Sequence, residues 1–134
     1  MLITRVRLTE LYKILKDIPL EGLSANFKFA IARTRDRMEP EIKAINVALK
    51  APAEFEEYVE KKRGLAGKDS SKLDAEYADV LTKLKDTRYE RDEFLRAEVN
   101  IDVETISKSS FYKEKIDKIN ETEQVQALFI FIGD

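Results

Sequence analysis

Histidine, cysteine and tryptophan are absent from these 134 residues, and there are only four glycines and three prolines. Losing His and Cys together removes the side chains that most often supply a near-neutral acid or base, a thiolate nucleophile or a soft metal ligand. Zero cysteines also exclude disulfides and thiolate metal sites, which agrees with a reducing compartment. The glycines, at 22, 64, 67 and 133, form neither a phosphate-binding loop nor a dinucleotide fingerprint. No apolar run approaches the roughly 18 residues of a membrane span. The start MLITRVRLTE lacks the apolar block of a signal peptide. The chain therefore reads as cytoplasmic and, from its Met1 start without tag or fusion scar, as a complete gene product.

What is present is charge. Lys, Arg, Asp and Glu make up 37% of the chain against 43% hydrophobic residues, where about a quarter charged is usual. This balance favours elongated helices over a round core. The net charge is −2 and the pI near 5.4, so the whole-protein field does not attract nucleic acid or anionic membrane. Residues 1–50 hold ten basic and six acidic side chains (+4), and residues 51–134 fourteen and twenty (−6). Such end-to-end polarity can orient self-association or partner docking.

Helical periodicity dominates the first hundred residues. Leu8, Leu11, Tyr12, Leu15 and Ile18 predict a short amphipathic helix over 9–17, ending before Pro19. The alternating residues 2–8 read either as a strand or as that helix's first turns. Ser24 can cap a second helix with the stripe Phe27, Ile31, Thr34, Met38, Ile42, Ile45 and Leu49. A kink is expected at Pro40 and a second possible break at Ala51-Pro52. Phe55, Tyr58 and Val59 then continue the pattern to Lys62, and Gly64 and Gly67 close it. Asp69, Ser70 or Ser71 can cap a third helix carrying Leu73, Tyr77, Val80, Leu81, Leu84 and Leu95. Helices two and three, of about 40 and about 28 residues, would span roughly 60 and 42 Å as an antiparallel hairpin.

After Glu98 the period changes to two. Val99, Ile101 and Val103 alternate with Asn100, Asp102 and Glu104, as in a half-buried strand whose partner is the N-terminal stretch or another chain. Ser109 or Ser110 can cap a short helix with Phe111, Tyr112, Ile116 and Ile119. Asn120 with Glu123 fits a capping box for a last segment containing Val125, Leu128, Phe129 and Ile132. The expected fold is mainly α, one domain over 1–134. It comprises an N-terminal strand or short helix (1–22), a long antiparallel helical hairpin (24–98), and one short β-strand segment with small C-terminal helices (99–134).

The constellations that could carry function are few. Asp102, Glu104 and Lys108 invite a carboxylate-metal nuclease reading, but the usual pattern places the Lys two residues after the second acid; a solvated strand face fits better. Arg33, Arg35 and Arg37, with Lys28, ring their helix instead of forming one basic face. Arg35 and Arg37 flank the stripe, where arginines snorkel and pair with acids on a neighbouring element. Arg88 and Arg91 stand at stripe positions where apolar residues are expected, so they are exposed, or paired near Glu39 and Glu41, or face a partner. The run from Ala127 to Ile132 is the most hydrophobic in the chain. It must cap the core or enter a partner, core capping being favoured.

The order Leu8-Thr9-Glu10-Leu11-Tyr12-Lys13-Ile14-Leu15, then Ile18-Pro19-Leu20-Glu21-Gly22 and a capped Arg-rich helix, resembles a small family of tailed-bacteriophage proteins of unknown function. The Glu98-to-Val103 stretch and the Leu128-to-Ile132 block are similar too. The resemblance implies a phage protein in the cytoplasm of the host cell or in the virion, and brings no catalytic residues. The leading expectation is a non-enzymatic protein without cofactor or metal, acting by protein–protein contact in virion or tail assembly. Its partners are itself, as a homo-oligomer, or another phage or host protein, with neither nucleic acid nor membrane. Phe129, Ile130, Phe131 and Ile132 are its candidate hydrophobic docking end, and Arg88 and Arg91 its polar specificity element. Deleting 128–134 should then alter oligomeric state or partner binding. The second expectation is an inhibitor sequestering a host defence protein or small signalling molecule, and the third a nuclease using Asp102 and Glu104.

Overall fold

The computed structural model describes residues 1–116 and 119–134. The described chain is mainly helical, and it gathers into two compact units: Met1–Ile45 with Arg96–Asp134, and Asn46–Leu95.

In the first unit, β1 (Leu2–Thr4) leads directly into α1 (Arg5–Asp17), so the alternating N-terminal stretch is a strand first and a helix from residue 5. Thr4 makes the switch: its backbone is extended and its hydroxyl accepts from the Arg7 N–H at 3.2 Å, satisfying one orphan donor of the first turn. Leu8, Leu11 and Leu15 form the buried face of α1, which packs on α8 (Thr122–Leu128). The turn at Ile18-Pro19 closes with Gly22 at φ +86°, a backbone angle that a side chain disfavours. It delivers Ser24 as the cap of α2 (Ala25–Ala48), its hydroxyl accepting from the Phe27 N–H at 3.2 Å. The expected stripe is buried from Phe27 through Ile31, Thr34, Met38 and Ile42 to Ile45. Pro40 lies inside this helix on an exposed position. The residue whose carbonyl it leaves without a helical donor, Asp36, is exposed, and the helix continues.

The strand expected at 99–103 is β2 (Glu98–Asn100), and its partner is β1, antiparallel with Ile3 opposite Val99. The pairing is prolonged by Ile101 N–H to the Met1 carbonyl, 2.8 Å, and Arg5 N–H to the Ala97 carbonyl, 3.0 Å. Met1 is the last pairing residue of the N-terminal stretch, opposite Ile101, and beyond it α2 takes up the backbone groups: Glu104 N–H donates to the Thr34 hydroxyl at 3.0 Å, and the Asp102 carbonyl accepts from Arg37 at 3.1 Å. One strand segment was expected; the chain has further ones. Besides β1, β3 (Ile106–Ser107) runs parallel to β4 (Ile132–Gly133). Of the helix expected around Phe111 to Ile119, whose residues 117 and 118 lie outside the described ones, the structure shows α7 (Lys108–Phe111), capped by Ser107 and not by Ser109 or Ser110. The Asn120–Glu123 capping box is replaced by a start at Glu121 without a side-chain cap.

The second unit holds α3 (Ala53–Gly64), α4 (Ser71–Glu76), α5 (Ala78–Asp86) and most of α6 (Arg88–Arg96). The expected 40-residue helix is therefore two, separated at 49–52. Pro52 has no N–H to donate and pushes Ala51 out of the helical region, and Pro52 itself becomes the flanking residue of α3. The expected third helix runs as α4, α5 and α6, bent at Tyr77 and Thr87. Helical bonds still bridge both bends, with Leu81 N–H on the Tyr77 carbonyl and Arg91 N–H on the Thr87 carbonyl, each 3.0 Å.

Candidate functional site

The C-terminal apolar run divides between core and surface. Leu128 and Phe131 are fully buried, and Phe131 meets Phe27 edge to face at 5.9 Å and 80°. Phe131 is thus a core residue and is withdrawn from the expected docking end. Deleting 128–134 would remove core side chains, so that truncation tests folding and not docking. Ile130 and Ile132 are half-buried, and Ile132 starts β4. Phe129, in contrast, is 50% exposed.

Phe129 does not stand alone. Phe27 touches Phe111 at 5.7 Å, and Phe111 carries Phe129 at 5.9 Å and Tyr112 at 5.6 Å. Phe27, Phe111 and Phe131 are buried, while Tyr112 is 67% exposed. The aromatic core of the first unit therefore continues to the surface as two rings, held in place by rings beneath them.

A cleft of about 790 Å³ opens in the same unit, between the start of α2 and the β3–α7 region. Its wall includes Leu23, Ala30, Ile106 and the exposed ring of Phe29, over which Arg33 lies at 5.8 Å. Glu114 crosses from the turn after α7 to the start of α2, whose first turn has no acidic residue of its own. Its carboxylate accepts from the Ser24 N–H at 2.9 Å and from the Ser24 hydroxyl, placing a negative charge at the positive helix end.

Arg37 is only 29% exposed and pairs with Glu104 at 3.1 Å and Asp102 at 3.5 Å. This is the interfacial role expected of the arginines flanking the α2 stripe. The two carboxylates of the nuclease reading are held by that guanidinium. Among the described residues, no group of three or more Asp or Glu side chains is arranged to hold a metal ion, and no helix is long and apolar enough to cross a membrane.

In the second unit, Tyr58 and Tyr77 pack at 5.6 Å. The Tyr58 hydroxyl donates to Asp74 at 2.6 Å, and Ser70 donates to the same carboxylate at 3.1 Å. The Tyr58 bond holds the Asp74 carboxyl below its ordinary range, and reciprocally raises the Tyr58 hydroxyl. Lys61 lies over the Tyr77 ring at 5.1 Å, and its contact with Tyr77 raises its pKa. These groups join α3 to α4. Arg88 and Arg91 are exposed on α6, three residues apart and hence on one side of it. Glu39, one of the two acids expected near them, pairs with Lys43 one turn along its own helix at 3.4 Å.

Sequence reasoning passed over Phe29, Lys113, Glu114 and Lys115. Phe29 left a signal, a large apolar side chain off the stripe set by Phe27 and Ile31. The others left none, since their position depends on a chain reversal some 90 residues away from Ser24. Compared with protein-family models, curated proteins and solved structures, the chain matches none.

Proposed function

We propose that this protein works without catalysis, by protein–protein contact, with a second copy of itself or another phage protein as partner in virion or tail assembly. The observation that carries the reading is the pair Phe129 and Tyr112, exposed yet seated on the buried Phe111. Rigid aromatic side chains bury large areas on association at small entropic cost, which is why such rings concentrate binding energy. The tailed-phage resemblance supplies the setting. Arg88 and Arg91, exposed at positions where the stripe called for apolar residues, are the proposed polar specificity element.

Light scattering coupled to size exclusion tests the contact surface. The parent protein should elute as an oligomer, and Phe129→Ser with Tyr112→Ser should shift it to monomer while the thermal melt of the folded unit is retained. A parent that is monomeric at high concentration, with or without the substitutions, sinks self-association. Arg88→Glu with Arg91→Glu should weaken assembly chiefly at low salt, because exposed charges act through a field that salt screens.

A further inference from the structure

We propose that the cleft between the start of α2 and the β3–α7 region binds a small anion with a flat apolar body. Its volume, about 790 Å³, lies within the roughly 300–1,000 Å³ of small-molecule sites. The ligand class follows from sorting the wall's polar groups into those already partnered and those still open.

Both acids of the wall are partnered. Glu104 is held by Arg37 at 3.1 Å, and Glu114 by the N–H and hydroxyl of Ser24. The Ser107 and Ser110 hydroxyls bond each other at 2.8 Å. The open groups are the Asn26 amide, the Thr105 hydroxyl and the ammonium groups of Lys113 and Lys115, which have no hydrogen bond or ion pair with any described residue. The cleft thus ties down both of its carboxylates, Glu104 by a guanidinium and Glu114 by neutral donors at the helix start, and leaves two ammonium groups open. An anion is the complement, through charge-assisted hydrogen bonds from the two lysines and the amide. Ile106 and the half-exposed Phe29 ring, which carries Arg33 over it at 5.8 Å, form the apolar side, with the buried Leu23 and Ala30 beneath, and this fits a planar body by stacking and burial. Phosphate and carboxylate satisfy this chemistry equally. Neither Phe129 nor Tyr112 lines the cleft, and the proposal does not rest on the contact reading.

Titrations followed by amide NMR shifts decide the matter, with AMP as the phosphate probe and indole-3-acetate as the carboxylate probe. Inorganic phosphate and adenosine serve as half-ligands. At least one full probe should saturate shifts within 22–30 and 104–115, more tightly than either half-ligand, and the better of the two identifies the anion. Lys113→Gln with Lys115→Gln should weaken that probe about tenfold or more without unfolding the unit, as should Phe29→Ser. Phe129→Ser with Tyr112→Ser should leave it unchanged. Failure of both probes to saturate at roughly 1 mM, adenosine binding as tightly as AMP, or undiminished binding by the lysine variant would overturn the proposal.

Discussion

A Cβ added at Gly133 would sit 2.6 Å from the Thr105 hydroxyl oxygen and 3.1 Å from the Ile106 carbonyl oxygen. The carbonyl belongs to the β3 backbone and cannot swing aside, so Gly133→Ala should destabilise by roughly 1–3 kcal/mol. Because the clash lies in the β3–β4 pairing, faster amide exchange at 106–107 and 132–133 should accompany a lower Tm. Phe131→Ala removes a ring from the aromatic core and should cost about 3–5 kcal/mol, measurable by denaturant titration, whereas Phe129→Ala on the surface should leave stability nearly unchanged. The Tyr58–Asp74 bond predicts a pH dependence. A carboxyl whose folded pKa is lowered stabilises above its unfolded value, and that contribution disappears as pH falls through the folded value. Tyr58→Phe should therefore flatten the acid limb of the second unit's stability curve below pH ~4. The raised tyrosine works in the opposite direction, its contribution being lost as pH climbs past its elevated value.

α2 is anchored to the segment after β2 by two side chains. Thr34→Val keeps the shape and leaves the Glu104 N–H without its acceptor, an expected loss of about 1–3 kcal/mol. Arg37→Gln releases Asp102 and Glu104 for about 1 kcal/mol or less, since the pair is partly solvated. Hydrogen exchange confined to 102–104 would distinguish both effects from global unfolding. These anchors also show where sequence reasoning reached its limit. The α2 stripe was legible because a 3.6-residue period reports one buried face directly, and Thr34 as its polar step marked a hydrogen bond still to be found. The period-two signal after Glu98 was equally sound, but it could not say where pairing stops, since that depends on the register with β1, which sets Met1 opposite Ile101. The bends at Tyr77 and Thr87 were invisible for a related reason. No Pro or Gly announces them; at Thr87 the hydroxyl bonds the Leu84 carbonyl at 3.0 Å, a local alternative to regular helix that many threonines never use. The surface rings were half legible: the C-terminal run was recognised, while its division into core Phe131 and exposed Phe129 depends on a 3₁₀ turn over Phe129–Phe131.

The two units differ in how much they bury. The first contains Leu8, Leu15, Phe27, Ile31, Met38, Leu128 and Phe131 with almost no exposure, whereas in the second only Tyr58 and Tyr77 are buried among the described residues. Stability is distributed accordingly, so Asn46–Leu95 should exchange its amides and lose helical signal at lower denaturant than the remainder. A single coincident transition by both probes would contradict this. The first unit is also discontinuous: its halves, Met1–Ile45 and Arg96–Asp134, are separated in sequence by the whole of the second, and β1 finds its partner only at Glu98–Asn100. That spacing has a consequence during synthesis. At roughly 5–20 residues per second, several seconds pass between the emergence of residue 45 and of residue 96. During that interval Leu8, Leu11 and Leu15 await α8 on the nascent chain, and the intervening helices have time to form first. The last segment translated, with Leu128 and Phe131, closes the unit, so a ribosome stalled before residue 128 would hold a chain with its aromatic core open, a substrate for chaperones and proteases.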